Sequence, residues 1–206
     1  MGLADVGEGA PVSVVALLGA ECTGKSSLTA ALGVQLADLR AATISEYLRD
    51  WCEAQGRTPQ QAEQWHIARI QTARIAAAAR CHPLVIADTT ALMTALYSRH
   101  YFADDALFAE ALPQQRRIAL TLLCCPEGIP WQADGWMRDG DSTRLRTHEE
   151  LRALLSEHQL PYVLLQGPLQ ARAAQAEALI RSLPAAAPLQ DGKLDAKDER
   201  DDRQLR

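Results

Sequence analysis

The segment Gly19 to Ser26, with the sequence GAECTGKS, constrains the fold of this chain more than any other. It matches the pattern G-x-x-x-x-G-K-[ST], and it follows the apolar run that begins at Val12 and precedes an amphipathic stretch that begins at Ser27. Its two glycines allow successive backbone N–H groups to turn inward around a phosphate, while the next helix directs its positive end to the same place. We therefore expect a phosphate-binding loop between a buried strand and a helix.

The residues of this phosphate-binding loop have separable predicted roles. Lys25 supplies a mobile cation for terminal phosphates, and Ser26 offers a hydroxyl to Mg²⁺. Cys22 would lie in a positive field that favours its thiolate, but a passive small side chain fits the same position. The residues predicted to bind the phosphates of ATP are Gly19, Ala20, Glu21, Cys22, Thr23, Gly24, Lys25, Ser26 and the adjacent Ser27.

Composition limits the function classes that the chain can serve. The chain has 206 residues, of which 48% are hydrophobic and 23% charged, as expected for one α/β domain. The net charge of −5 argues against nucleic-acid binding, so we expect a small-molecule ligand. Acidic residues precede a short apolar run, which predicts no membrane or export signal, and five cysteines without ligand spacing suit a reducing, cytoplasmic location. The oligomeric state stays open.

Apolar runs alternate with helical patterns, which predicts an α/β fold with a five-stranded parallel sheet, the three-layer sandwich of P-loop NTPases. Residues 1–11 are expected to be a loose lead-in, 12–184 the folded domain and 185–206 a disordered charged tail. The expected strands are 12–18, 41–45, 83–87, 118–124 and 161–166. The expected helices are 27–39, one from 46, 58–80, 91–101, 147–158 and 168–183. The fifth of these helices would begin at a capping box, 147–150.

Polar residues follow the predicted strands, where ligands bind in such a sheet. Asp88 comes after the apolar run Leu84 to Ala87 and has the position of a Walker B acid, which would hold Mg²⁺ or accept a proton from an attacking hydroxyl. A helix cap is the alternative for Asp88. Glu46 and Arg49 lie on one helical turn and could face a cleft, with Glu46 accepting from sugar hydroxyls and Arg49 binding an anion or a base. A surface ion pair has the same spacing.

The aperiodic stretch 125–146 is predicted to be a lid loop, because long ordered loops of this kind are usually functional. Arg138 is the first candidate for the arginine that closes over the phosphates, and Arg144 is the second. Trp131 and Trp136 either stack on a flat ring of the ligand or pin the loop to the body of the protein.

Several of these motifs together resemble the ribosylnicotinamide kinase domain of NadR-type NAD-biosynthesis proteins, which belongs to the AAA-like P-loop kinases. The resemblance covers about Val12 to Leu183 and concerns the kinase part of those proteins. The segments that carry it are the phosphate-binding loop, Glu46-Tyr47-Leu48-Arg49, Gln71, Ile86-Ala87-Asp88-Thr89, and Pro130 to Gly135 with Arg138.

This resemblance implies phosphorylation of the 5′-hydroxyl of nicotinamide riboside to the mononucleotide, with ATP and Mg²⁺ as cofactors. Carried over by position, the catalytic residues are Lys25, Asp88 and Arg138, and the metal ligands are Ser26 and Asp88. The candidates for the nucleoside side are Glu46, Arg49, Gln71 and Asp134, together with Trp131 by stacking.

Two other hypotheses fit the sequence. The first keeps the kinase and changes the acceptor to another nucleoside or to a nucleotide. The second is a nucleotide-sensing module without catalysis, in which ATP binding orders the lid and the charged tail recruits a partner.

Overall fold

A computed structural model describes residues 12–132 and 140–184, and its centre is a sheet of five strands. The strands are β1 (Ser13–Leu18), β2 (Ala41–Ile44), β3 (Leu84–Asp88), β4 (Leu120–Cys124) and β5 (Val163–Leu165). All neighbouring strands are parallel, in the order β2-β3-β1-β4-β5. The predicted α/β fold with a five-stranded parallel sheet is confirmed.

Seven helices of the described residues cover the two faces of this sheet. They are α1 (Lys25–Gln35), α2 (Tyr47–Gln55), α3 (Gln64–Ala79), α4 (Ala91–Phe102), α5 (Phe108–Gln115), α6 (Asp141–Glu157) and α7 (Leu169–Arg181). Successive side chains of a strand point to opposite faces. Leu17 of β1 therefore packs in the apolar cluster of α1 and α7, while Leu18 packs in the cluster formed by α4, α5 and α6. The result is the predicted three-layer sandwich.

The topology brings the ends of two strands together at the candidate site. β1 lies between β3 and β4, and Leu17 pairs with Asp88 in the parallel register. The loop that leaves β1 therefore begins beside the carboxylate that ends β3. This is the switch point at which open parallel sheets bind their ligands.

The predicted start of the fifth expected helix at Thr147, which corresponds to α6, is wrong. α6 begins at Asp141, whose carboxylate pairs with Arg144 one turn later, and Thr147 and His148 are buried inside this helix. Arg144 and Arg146 therefore belong to a helix, and the predicted lid loop ends at 140 and not at 146.

Other helices also differ from the prediction. The helix predicted from Thr58 begins at Gln64 after a short 3₁₀ turn, Gln61–Glu63, because the Glu63 carboxylate accepts from the Gln60 backbone N–H at 2.8 Å and fixes that turn first. The sequence did not predict α5, which contains Pro113. The cap of α4 is Thr90, whose hydroxyl accepts from the Leu92 N–H at 3.3 Å, so the alternative of Asp88 as the cap is wrong.

Some predictions fall on residues that the model does not describe. These are the lead-in 1–11, the tail 185–206, and the lid residues Asp134, Trp136 and Arg138. Within 12–132 and 140–184, no helix is both long and apolar enough to cross a membrane.

Candidate functional site

The phosphate-binding loop adopts a backbone conformation that glycine makes possible. Gly19 has a φ of 152°, and a Cβ on it would lie 3.0 Å from the carbonyl oxygen of Cys124. Cys22 and Gly24 have positive φ values of 53° and 72°, whereas Thr23 between them does not. Alternation of this kind forms a nest of backbone N–H groups that binds anions.

Lys25 is held inside this loop, with 7% of its surface exposed. Its Nζ donates to the carbonyl oxygens of Gly19 and Ala20, both at 2.9 Å. These carbonyls keep the buried ammonium group hydrogen-bonded, and phosphate oxygens can replace them as acceptors. The cation is therefore already at the loop before any ligand binds.

Ser26 and Asp88 form the pair that the sequence predicts as metal ligands. The Ser26 hydroxyl donates to Oδ2 of Asp88 at 2.6 Å, and Asp88 is 2% exposed. Oδ1 of Asp88 is buried and has no hydrogen-bond partner among the described residues. A buried carboxylate oxygen without a partner is costly, and a cation would satisfy it. These two residues therefore fit Mg²⁺, which usually takes one or two protein ligands and keeps several waters.

Glu46 lines the same cavity as the loop, and the pKa of its carboxyl is raised. Burial raises the pKa of its carboxyl, the positive charge of Lys25 opposes that rise, and the Asp88 carboxylate adds to it. Tyr97 of α4 lies nearby, and burial together with Glu46 and Glu21 raises the pKa of its phenol well above the usual value. Tyr97 therefore keeps its proton and stays a hydrogen-bond donor in the cavity.

One cavity of about 1140 Å³ joins these groups. The loop residues from Glu21 to Ser27 line it, and so do Glu46 and Arg49. Cavities of this size hold drug-sized ligands, which agrees with a site for a nucleotide and an acceptor side by side. The structure thus brings the predicted phosphate side and the predicted acceptor side into one space.

Gln71 lies behind the cavity and is 2% exposed. Its Oε1 accepts from the backbone N–H of Tyr47 at 2.8 Å, and its Nε2 donates to the carbonyls of Asp88 and Thr89 at 3.3 and 3.2 Å. Thr89 has a φ of 68°, a strained conformation for a β-branched residue. The amide of Gln71 therefore connects the start of α2 to the end of β3, and its predicted contact with a nucleoside stays a prediction.

Arg144 and Trp131 also lie outside the lining of this cavity. Nη1 of Arg144 donates to the carbonyls of Cys22 and Ile129 at 3.2 and 3.0 Å, and its guanidinium lies 5.6 Å from the centre of the Trp131 ring. Trp131 thus contacts Arg144 of α6, and its stacking on a ligand stays a prediction. The roles predicted for Asp134 and Arg138 lie outside the described residues.

Sequence reasoning missed one arginine at the loop. Arg172 of α7 is 4% exposed, lines the cavity, and donates from Nη1 to the carbonyl of Thr23 at 2.7 Å. Its position in the first turn after the last strand was the available signal, because the carboxyl ends of all the strands converge there.

Comparison with protein families gives one match. A family model described as an AAA domain matches residues 14–172, which is most of the chain. The chain belongs to this AAA domain family. A comparison with curated proteins found no match.

Solved structures of two kinds share the fold of this AAA domain. NadR protein in complex with NR superimposes with a TM-score of 0.68 at 22% identity, over 87% of this chain and 53% of that one. NadR protein in complex with NAD and AMP-PNP gives 0.61 at 25% identity, over 84% and 49%. The chain therefore spans about half the length of the NadR chains. Thymidylate kinase from Ehrlichia chaffeensis gives 0.59 at 10% identity, over 82% and 99%. The fold is that of P-loop kinases.

Proposed function

We propose that this AAA domain is an ATP- and Mg²⁺-dependent kinase that phosphorylates the 5′-hydroxyl of nicotinamide riboside to give the mononucleotide. The observation that carries the proposal is the shared cavity, which the phosphate-binding loop lines together with Glu46 and Arg49.

The proposed reaction assigns a role to each polar residue on the acceptor side of the cavity. The Glu46 carboxylate accepts hydrogen bonds from the ribose hydroxyls, and Arg49 contacts the base or an anionic group. The 5′-oxygen forms a bond to the γ-phosphorus of ATP while the bond to the β–γ bridging oxygen breaks, so ADP leaves. The hydroxyl proton passes to a carboxylate, for which Asp88 is the candidate.

The residues around the phosphates stabilise the charge that moves during transfer. Lys25 donates to the terminal phosphate oxygens in place of the carbonyls of Gly19 and Ala20. Ser26 and Asp88 would hold Mg²⁺, which neutralises negative charge on the β- and γ-phosphates when bound. Arg138 of the lid is proposed to close over the same phosphates.

The choice of acceptor rests on two kinds of support. The sequence elements around Glu46, Asp88 and Pro130 resemble those of ribosylnicotinamide kinase domains. In addition, one of the similar structures is NadR with NR bound, at 22% identity. The thymidylate kinases share the fold at 10% and 15% identity, so a nucleotide acceptor is the alternative to test.

An ADP-release assay over a panel of acceptors tests the proposal. The panel contains nicotinamide riboside, uridine, cytidine, adenosine and thymidine monophosphate, each with ATP and Mg²⁺. We expect kcat/KM for nicotinamide riboside to exceed that for the other acceptors by at least about tenfold, the ratio that corresponds to 1.4 kcal/mol. Glu46→Gln should lose most of this activity, whereas Glu53→Gln on the exposed side of the same helix should keep it. Preferred turnover of another acceptor would overturn the riboside assignment.

A further inference from the structure

Two buried arginines hold successive carbonyl groups of the phosphate-binding loop. Arg144, from the first turn of α6, donates to the carbonyl of Cys22 at 3.2 Å. Arg172, from the first turn of α7, donates to the carbonyl of Thr23 at 2.7 Å. The two arginines are 5% and 4% exposed, and the contact of Arg172 is buried while that of Arg144 is partly buried. Two separate helices thus fix neighbouring peptide groups of one loop.

The direction of a carbonyl determines the direction of the N–H in the same peptide group. All peptide bonds of the described residues are trans, so the C=O and the N–H of each group point to opposite sides. Holding the carbonyl of Cys22 therefore orients the N–H of Thr23, and holding the carbonyl of Thr23 orients the N–H of Gly24. The alternating φ values of 53° at Cys22 and 72° at Gly24 belong to a nest, in which such N–H groups converge on an anion.

The two arginines differ in their charge partners. Arg144 pairs with the carboxylate of Asp141 at 2.6 Å. Among residues 12–132 and 140–184, no carboxylate pairs with Arg172. The Nε of each arginine is buried without a hydrogen-bond partner among these residues. Nη2 of Arg172 lies close to the loop, 3.0 Å from where a Cβ on Gly24 would be. A buried cation without a counter-charge is costly, and a polyphosphate in the loop would supply one.

We propose that Arg144 and Arg172 are positioning residues, which orient the amides of Thr23 and Gly24 toward the phosphates of a nucleotide. Arg172 in addition takes its counter-charge from those phosphates. The inference deepens the phosphate half of the proposed function and is independent of the acceptor. It also gives Arg144 a different role from the predicted one: this arginine acts through the backbone of the loop and not by direct closure over the phosphates.

Titration calorimetry with Mg²⁺ and inorganic tripolyphosphate tests the inference on the full chain. We expect Arg172→Met to weaken tripolyphosphate binding by at least about tenfold, and Arg172→Lys to recover part of the loss because it restores a positive donor. Arg144→Met should give a smaller loss, since Asp141 already balances the charge of Arg144. The matched control is Arg181→Met, on the same helix as Arg172, where the guanidinium pairs with Asp38 and Glu177. It should stay within about twofold of the unchanged protein.

NMR spectra of ¹⁵N-labelled protein distinguish a change in the orientation of the loop amides from a general loss of structure. In the unchanged protein, tripolyphosphate should move the amide protons of Thr23 and Gly24 strongly downfield, as hydrogen bonding to an anion does. Arg144→Met should diminish the shift of Thr23 and spare Gly24, and Arg172→Met should do the reverse. A purely structural role would change both amides alike in either variant, and that result would overturn the inference. If Arg172→Met does not fold, Arg172→Lys and Arg144→Met test the same pattern.

The outcomes keep this inference distinct from the proposed function. Equal tripolyphosphate binding by Arg172→Met and the unchanged protein would overturn the inference, and so would absence of binding by the unchanged protein. If the variants behave as expected while no nucleoside is phosphorylated, the inference stands and the proposed function fails. With an active enzyme, Arg172→Met should raise KM for ATP and leave KM for the nucleoside unchanged.

Discussion

Lys25 and Asp88 are opposite charges at the same loop, and each is almost completely buried. The carbonyls of Gly19 and Ala20 satisfy the ammonium group, and the Ser26 hydroxyl satisfies one oxygen of the carboxylate. Each charge is therefore held by a hydrogen bond to a group of the loop, and a nucleotide can exchange partners with these charges without reorganising the site. Preorganisation of this kind is a large contribution to catalysis.

Lys25→Ala removes the cation that is proposed to stabilise the transferring phosphate. Loss of one such contact typically costs about 2.7–4 kcal/mol in the transition state, so kcat should fall about a hundredfold to a thousandfold. The fold should persist, because α1 and β1 keep their apolar contacts with the sheet and with α7. Steady-state kinetics measures the fall in kcat, and circular dichroism tests whether the fold persists. Unchanged turnover by this variant would remove the phosphate-loop mechanism.

Glu46 should make stability depend on pH. Burial raises the pKa of Glu46 above the ordinary 4.5, so the folded state binds more protons than the unfolded chain between the two values. The free energy of unfolding therefore falls as the pH rises through this window, by about 1.4 kcal/mol for each unit by which the pKa is raised. Glu46→Gln should abolish this loss, so it should be more stable than the unchanged protein at neutral pH.

Chemical denaturation of ligand-free protein at several pH values measures this effect. The advantage of Glu46→Gln should vanish below pH 4.5, the ordinary value of the carboxyl. Glu53→Gln, on the same helix but exposed, is the control and should show no such advantage. A constant difference between Glu46→Gln and the unchanged protein across the range would contradict the account.

At the scale of elements, Gln71 of α3 connects the acceptor side of the site to the end of β3. Its amide contacts the N–H of Tyr47 and the carbonyls of Asp88 and Thr89, so three backbone groups share one buried side chain. The strained φ of Thr89 lies at the same junction. Such strain persists only where surrounding contacts hold it, and Gln71 provides two of them.

Gln71→Leu should therefore destabilise both the fold and the site. An unsatisfied buried backbone group costs about 1–3 kcal/mol, so we expect the free energy of unfolding to fall by at least about 2 kcal/mol. Urea denaturation measures the loss, and Gln175→Leu on the exposed face of α7 is the control. A loss below about 0.5 kcal/mol, the ordinary range for surface changes, would show that Gln71 does not hold this junction.

The sequence predicted the elements better than their junctions. The strands β1, β3 and β4 are buried over most of their length and read as continuous apolar runs, which is why they were found, and the shorter edge strands β2 and β5 were found as well. The start of α6 was missed because the pairing of Asp141 with Arg144 outweighed a capping box inside the helix. The contacts of Arg172 and Gln71 could not be predicted, because they join residues that are far apart in the chain and depend on how helices pack. Local spacing carries no information about such contacts.

At the scale of the whole molecule, ligand binding should couple to folding. The loop, α6 and α7 meet at one site through Arg144 and Arg172, so a bound nucleotide contacts several elements of the fold indirectly. A ligand at a hundred times its Kd stabilises the folded state by about 2.7 kcal/mol, which for a domain of this size shifts Tm by roughly 5–10 °C. Differential scanning fluorimetry with a non-hydrolysable ATP analogue and Mg²⁺ measures the shift. Absence of any shift at saturating concentrations would contradict the proposed nucleotide site.

Transfer of label from [γ-³²P]ATP to nicotinamide riboside tests the central claim most directly. We predict that the label appears in nicotinamide mononucleotide in equal amount to the ADP formed, and that ³¹P NMR of product made from unlabelled ATP shows the phosphate on the 5′-oxygen. Lys25→Ala should lower the rate of this transfer about a hundredfold to a thousandfold. If ATP binds and raises Tm while no label reaches nicotinamide riboside, the riboside kinase account is contradicted. Transfer of the label to thymidine monophosphate, which gives the diphosphate, or to a nucleoside other than nicotinamide riboside would instead assign the domain a different acceptor.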